Sequence, residues 1–260
     1  MSFEQTVLLS AIAGATIFLG LPVGRLRNLS TRSQALMTAG AAGVILFLIW
    51  DILAQAAEPV EASIETFSEG QSPAGDLAVN LAAFGFSIAF GLLSLVWFAG
   101  RVRRRRAEGL STHDVALGTA VGLGLHNLSE GLAIGQSAAT GATAFALILV
   151  IGFALHNATE GFGIAAPLTT GPRPTWAFLG ALGLVGGGPT FLGGVLGYSF
   201  VSPLLSIVFL GLAAGALVYV FNEMMAVSRK FTEPVAANIA LLVGLLVAFG
   251  TDFLLVGIGA

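Results

Sequence analysis

The sequence predicts an all-α polytopic membrane protein, and three observations support this fold class. Of the 260 residues, 56% are hydrophobic and only 10% are charged, whereas a soluble domain carries about 25% charged residues. The mean hydropathy is +0.92. The apolar residues fall into runs of about 20, the length that a helix needs to cross a bilayer. Because no segment between the runs is long enough to fold alone, we expect a single transmembrane domain over residues 1–260.

Eight apolar runs are candidate transmembrane helices. We expect them at residues 5–24, 34–57, 76–100, 113–137, 141–167, 176–200, 203–228 and 235–258. Helix-breaking residues mark several connections, among them the Gly-Pro-Arg-Pro segment at 171–174. The segment Ser-Thr-His-Asp at 111–114 is typical of a capping box and predicts the start of the fourth helix.

The distribution of charge predicts the orientation in the membrane. All 11 Lys and Arg residues lie in alternate connections, which the positive-inside rule places in the cytoplasm, so both termini are expected outside. The largest group belongs to an expected cytoplasmic loop at 101–112, where contact with anionic headgroups explains the arginines better than nucleic acid does. The acidic segment 58–75 is expected to be a solvated extracytoplasmic loop. The absence of cysteine excludes disulfides and thiolate ligands.

A polar motif occurs twice in the middle of these apolar runs. It reads His-Asn-Leu-Ser-Glu-Gly at 126–131 and His-Asn-Ala-Thr-Glu-Gly at 156–161. On a helix, its first, second and fifth positions lie within about 100° of arc, so their side chains point the same way. A carboxylate at the bilayer centre costs about 2.5–3.5 kcal/mol, and a shared divalent cation would offset that cost. The candidate metal ligands are His126, Asn127, Glu130, His156, Asn157 and Glu160.

The chemistry of this ligand set narrows the choice of metal. Imidazole nitrogen, carboxylate and amide oxygen without sulfur suit Zn²⁺, Fe²⁺, Mn²⁺ or Co²⁺ better than Cu⁺. The alternative is structural, because polar residues also join membrane helices by hydrogen bonds. Repetition of the whole motif at mid-membrane depth favours the metal. Gly131, Gly161 and Gly163 beside it are expected to let the ligand-bearing helices pack closely.

Four further polar residues are candidates for a cation pathway. Asp51 and Asp252 are expected near the outer ends of their helices, and Asn222 and Glu223 near an inner end. Together with the central motif they would mark an entrance, a midpoint and an exit. The alternative for each is a side chain that reaches the membrane surface from a helix end.

The motif resembles the signature of the ZIP family of divalent metal transporters, and the chain is similar to its small prokaryotic, GufA-like members. Asp51 and the Asn222–Glu223 pair also resemble family positions. The resemblance implies eight helices in a three-two-three arrangement with inverted repeats, located in the plasma membrane. It also implies import of Zn²⁺, and of Fe²⁺, Mn²⁺, Co²⁺ or Cd²⁺, through a centre formed by the six motif residues. The metal is then a bound substrate, and no prosthetic group or catalytic residue is expected.

The sequence departs from the family pattern in three places. Ser129 and Thr159 stand where the family has proline, although Ser and Thr also bend membrane helices. Helix six carries Gly-Gly-Gly-Pro-Thr at 186–190, where the family has a glutamate before the proline. The cytosolic loop lacks the usual histidine cluster, so metal sensing by that loop is not expected. We therefore predict one well-formed metal position and a weak or absent second one.

Two other functions remain open at this point. An intramembrane metal-dependent hydrolase would use His126, His156 and a glutamate base. Zincin-type enzymes, however, place two histidines one turn apart on one helix, whereas this chain has one histidine and one carboxylate in each copy. A proton or cation channel would conduct without saturable metal uptake. Besides metal ions and lipid, the sequence allows a homodimer but does not require one.

Overall fold

The fold is known from a computed structural model, which describes residues 1–26, 30–105, 111–141, 143–200 and 202–257. Within these residues all regular structure is helical, which confirms the predicted class. The α-helices are α1 (Phe3–Ala15), α2 (Ile17–Gly20), α3 (Thr31–Ser68), α4 (Ala74–Arg105), α5 (Thr112–Ala139), α6 (Thr143–Ala165), α7 (Trp176–Ser199), α8 (Pro203–Ser228) and α9 (Pro234–Gly257). Short 3₁₀ turns follow α2 at Leu21–Arg25 and α6 at Ala166–Thr170.

Several of these helices can cross a membrane. By length and composition, five segments of the described chain qualify: Phe3–Arg25, Thr31–Ser68, Ala74–Arg101, Trp176–Ser199 and Pro203–Ser228. A shorter apolar helix runs over Pro234–Gly250. The capping box expected at the start of the fourth predicted helix is confirmed, since the Ser111 hydroxyl accepts from the Asp114 amide and the Asp114 carboxylate accepts from the Ser111 amide.

The prediction of two long loops from the charge pattern is wrong in part, because helices extend into both segments. α3 continues to Ser68, so residues 58–68 of the expected acidic loop are helical. Alanine and glutamate are good helix formers. The exposed carboxylates of this segment stay in contact with water in the helix, so its formation has no desolvation cost. Gly70, at φ 71°, ends the extension, because an L side chain rarely adopts that conformation. On the basic side, α4 continues through Arg105, while residues 106–110 lie outside the described residues.

The first predicted span is not a single helix. α1 ends at Ala15, and α2 resumes at Ile17. At the break, Thr16 Oγ1 lies 2.7 Å from the carbonyl oxygen of Ala13 and 2.6 Å from that of Ala154 on α6. A hydroxyl that bonds to the preceding turn bends a helix, and this one also contacts the helix that carries the second motif.

The helices pack in two groups. α5 packs along α7, and α1, α2 and α6 complete this first group. The second group consists of α3, α4, α8 and α9, in which α4 packs on α8 and α3 packs on both α8 and α9. Buried Leu123, Ile164, Ile45 and Leu217, from α5, α6, α3 and α8, belong to one apolar cluster. The first group therefore holds both copies of the polar motif, and the second group packs against it.

Candidate metal centre

Five of the six candidate metal ligands have described side chains, and all five are buried. On α5, His126 is 1% exposed, Glu130 is 4% exposed and Asn127 is fully buried. On α6, Asn157 and Glu160 are fully buried. Ionised groups removed from water are costly unless an opposite charge compensates them, so ionised carboxylates at this site would favour a positive partner.

The imidazole and the two carboxylates converge on one point. His126 Nε2 lies 3.4 Å from Glu130 Oε1 and 3.9 Å from Glu160 Oε1. One ligand atom from each residue can be chosen so that all three lie within 4.8 Å of one another. A tetrahedral zinc ion with bonds of about 2.1 Å separates its ligand atoms by about 3.4 Å. The three groups are therefore spaced so that a small contraction would surround one such ion.

The two asparagines connect this cluster to the neighbouring backbone. Asn127 Nδ2 donates to Glu160 Oε2 at 2.8 Å and to the Gly186 carbonyl oxygen on α7 at 3.0 Å. Asn157 Nδ2 donates to the Ala13 carbonyl oxygen on α1 at 3.1 Å. Each asparagine thus uses its amide nitrogen to hold a helix, which leaves its oxygen for another partner.

Several side-chain oxygens in the cluster are buried, and those that accept no hydrogen bond from the described residues include Asn127 Oδ1, Asn157 Oδ1 and Glu130 Oε2. A buried acceptor without a partner costs about 1–3 kcal/mol. A cation would satisfy such oxygens without adding a proton donor, so the arrangement is suited to metal binding.

Glycines fix the positions of the two motif helices. A Cβ atom on Gly131 would overlap the Thr190 carbonyl oxygen on α7, and one on Gly161 would overlap the Ile17 carbonyl oxygen on α2. The expected close packing is therefore present at both positions, but each glycine faces a helix without the motif. The same expectation is wrong for Gly163, where a Cβ would make only an ordinary contact of 3.6 Å with Ile45.

Comparison with known families agrees with this geometry. The model of the ZIP zinc transporter family matches residues 60–252, more than half of the chain, and includes both motif copies. This chain belongs to the ZIP family. Comparison with curated proteins gives no significant match. ZIP proteins are membrane transporters of divalent metals rather than enzymes, and the buried His126, Glu130 and Glu160 group can hold such an ion.

One candidate ligand of this ZIP protein, His156, has no described side chain. His156 lies on α6 next to Asn157, but its side chain is outside the part that the structure describes. The side chains of Ser129 and Thr159, at the two positions without proline, are likewise outside it. α5 and α6 nevertheless continue through these positions as helices.

The four candidate pathway residues fall in different places. Asp51 is partly buried on α3, accepts from Gln55 Nε2 at 2.7 Å, and lies within range of electrostatic interaction with His126 and Asp252. Its position on α3 is 17 residues before the helix ends at Ser68, so it is not at the outer end of its helix as expected. The longer helix explains this difference. Asn222 is exposed on α8.

Glu223 belongs to a separate cavity of this ZIP chain. The cavity has a volume of about 270 Å³ between α4, α5 and α8, and Asp114 and Tyr219 also line it. The described lining contains no residue of the central cluster. Sequence reasoning had placed Asp114 only at a helix start, because its proximity to Glu223 depends on how α5 packs against α8. The backbone acceptors of Gly186 and Ala13 were also missed, since carbonyl groups leave no residue-type signal.

Proposed function

We propose that this ZIP protein carries divalent transition-metal cations toward the cytoplasm, with Zn²⁺ as the favoured substrate. The observation that carries the proposal is the convergence of one imidazole and two carboxylates, all buried, within 4.8 Å. The proposed ligand set is His126, Asn127, Glu130, His156, Asn157 and Glu160. The direction of transport and the plasma-membrane location are taken from the family resemblance and the distribution of basic residues.

The electrostatics of the site favour a dication as substrate. Two carboxylates in a low-dielectric interior repel one another, and a doubly charged ion is the simplest species that compensates both. Nitrogen and oxygen donors are also shared by Fe²⁺, Mn²⁺, Co²⁺ and Cd²⁺, so we expect these ions to compete with Zn²⁺. Because a transported ion must also leave, incomplete coordination by protein groups suits transport better than storage.

The helix contacts support an inverted repeat within a single transporter domain of residues 1–260. The contacts are related by an exchange of helices. In this exchange α1–α2 is paired with α7, α3 with α8, α4 with α9, and α5 with α6. Under this exchange the α3–α9 contact becomes the α8–α4 contact, and the α5–α7 contact becomes the contact of α6 with α1 and α2. We propose eight spans in a three-two-three arrangement, with both termini outside and the motif helices α5 and α6 as the central pair.

The remaining polar residues suggest a route through the protein. Asp51 interacts electrostatically with His126 in the centre and with Asp252, so we assign these two acids to the outer approach. Asn222 and Glu223 lie on α8, and Glu223 lines the cavity between α4, α5 and α8, so we assign this pair to the exit.

Metal uptake by proteoliposomes tests the proposal. The wild-type protein should take up Zn²⁺ and Mn²⁺ saturably, and Glu130→Ala should abolish uptake because one of the two converging carboxylates is lost. Glu61→Gln, at an exposed acid near the end of α3, is the control and should transport normally. Full uptake by a well-folded Glu130→Ala protein would refute the assigned site. Metal-dependent hydrolysis of lipids or peptides in detergent that Glu130→Ala abolishes would favour the hydrolase instead.

A further inference from the structure

An apolar groove of about 600 Å³ lies where α6 meets α3 and α9. Its lining includes residues of all three helices: Leu36, Gly40, Val44, Ala158, Phe162 and Val243. Every described residue of the lining is apolar or glycine. A Cβ atom on Gly244, which also lines the groove, would overlap the Gly40 carbonyl oxygen. α3 and α9 therefore cross backbone against backbone at the groove, where no larger side chain can fill the space.

One end of the groove carries a positive charge. Leu36, Gly40 and Val44 are spaced by four residues and form one ridge along α3. Arg32 is one turn before Leu36 on the same ridge, is exposed, and has no hydrogen-bond or ion-pair partner among the residues that the structure describes. The basic residues predict that this end of α3 faces the cytoplasm.

The length of the groove corresponds to one leaflet of a bilayer. From Arg32 to Val44 the chain rises 1.5 Å per residue, which gives about 18 Å. Half of the hydrocarbon core of a membrane is about 15 Å. A molecule with an anionic head near Arg32 and an apolar chain along the ridge would therefore reach from the membrane surface to about the midplane.

We propose that this groove binds an anionic phospholipid of the cytoplasmic leaflet. An acyl chain would occupy the space between α3, α6 and α9, and the headgroup phosphate would contact the Arg32 guanidinium. The apolar lining excludes a polar ligand, and the basic residue at the mouth selects an anionic head over a zwitterionic one. The proposal uses the membrane orientation of the proposed function, but it does not depend on transport.

The lipid would contact the helix that carries half of the metal centre. Ala158 and Phe162 on α6 line the groove, and Asn157 and Glu160 lie beside them in sequence. A chain between α6 and the α3–α9 pair would therefore stabilise the position of the first helix group against the second. This predicts that bound lipid raises the thermal stability of the whole protein.

Lipid binding can be measured directly on the purified chain in detergent. Phosphatidylglycerol and phosphatidylcholine with identical acyl chains are added separately, and native mass spectrometry and thermal denaturation are followed. We expect retention of phosphatidylglycerol and an increase of several degrees in the denaturation midpoint, with little effect of phosphatidylcholine. Equal retention and equal stabilisation by the two lipids would overturn the proposal.

Two variants separate the acyl chain from the headgroup. Val243→Trp fills the groove, and Arg32→Gln removes the charge, so both should lose the effect of phosphatidylglycerol. Leu246→Trp, at a residue of α9 outside the groove lining, and Arg173→Gln, at an exposed arginine before α7, are the controls and should keep it. Val243 is 56% exposed and Leu246 is 59% exposed, so neither tryptophan is expected to unfold the protein.

A second filling variant keeps the test decisive. Val247 also lines the groove and is exposed, so Val247→Trp replaces Val243→Trp if the first variant does not fold. A phosphatidylglycerol effect that survives filling of the groove, or survives Arg32→Gln, would overturn the proposal. Conversion of a dimer to a monomer by the filling variants, with the lipid effect unchanged, would show that a second copy of the chain covers the groove. The result for lipid binding does not change the result of metal uptake by Glu130→Ala. The lipid proposal and the transport proposal can therefore fail independently.

Discussion

The Asn127 amide donates a hydrogen bond to Glu160 across 2.8 Å and so joins two helices at positions 33 residues apart. The same amide nitrogen donates to the Gly186 carbonyl oxygen on α7. Asn127 therefore fixes a carboxylate of the second motif copy from within the first. It also ties the centre to a helix that carries no motif.

Replacement of Asn127 by alanine should weaken metal binding. Alanine removes the proposed ligand oxygen Asn127 Oδ1 and also releases Glu160 from its position; loss of a hydrogen bond that orients a metal ligand typically costs about 10–100-fold in affinity by itself. Zn²⁺ binding to the purified protein, followed by competition with an indicator dye, measures the change. Asn238→Ala is a matched control, because the exposed Asn238 amide donates to the Pro234 carbonyl oxygen within its own helix, α9. An unchanged dissociation constant for Asn127→Ala would contradict the role given to this bond.

The packing of α5 against α7 predicts opposite effects at two glycines of one helix. Gly131→Ala places a methyl group on the Thr190 carbonyl oxygen, so we expect a loss of about 1–3 kcal/mol in stability. Gly118→Ala meets no atom within 4 Å, and alanine favours the helix by about 0.5–1 kcal/mol. The midpoint temperature of thermal unfolding in detergent should therefore fall for Gly131→Ala and stay the same or rise for Gly118→Ala. Equal stability of the two variants would rule out the close approach.

Removal of the charge at Asp51 tests the outer approach. Asp51→Asn keeps the shape of the side chain and an oxygen that can accept from Gln55. It loses the attraction for a cation near His126. We expect a higher KM for Zn²⁺ uptake and an unchanged maximal rate, because the central ligands are intact. Glu58→Gln, at an exposed acid on the same helix, serves as the control. If both variants keep the wild-type KM, Asp51 is an interfacial residue with no part in the pathway.

The composition of α7 predicts one metal ion per chain. Residues 186–188, which lie beside the centre at the Gly186 carbonyl, are all glycine and offer no carboxylate. Glu130 and Glu160 with His126 form the one group of three metal-ligating side chains found among the described residues. Elemental analysis of the purified, metal-loaded protein should give a ratio of one. Two tightly bound ions per chain would contradict this prediction.

Residue types and their spacing predicted that His126, Glu130 and Glu160 are candidate metal ligands, and the structure brings these three together. The motif spacing placed His126, Asn127 and Glu130 on one face of α5, because helical geometry is local and depends on position alone. The similar membrane depth of the two motifs predicted that Glu130 and Glu160 could face each other. Local rules failed where a helix continues into water. Nothing in the composition of residues 58–68 distinguishes a solvated loop from a solvated helix, and nothing in that of residues 101–105 predicts that α4 continues there.

The sequence by itself determined that the chain is helical and apolar enough to cross a membrane, and that it carries a repeated set of candidate metal ligands. Those properties follow from composition and from a period of 3.6 residues, which need no long-range contact. Only the tertiary structure decided that Asn127 bonds to Glu160, that Gly131 faces α7, and that Asp114 shares a cavity with Glu223. These relationships depend on which helices pack together. Helix packing in turn depends on contacts of glycines and backbone carbonyls that are far apart in the sequence.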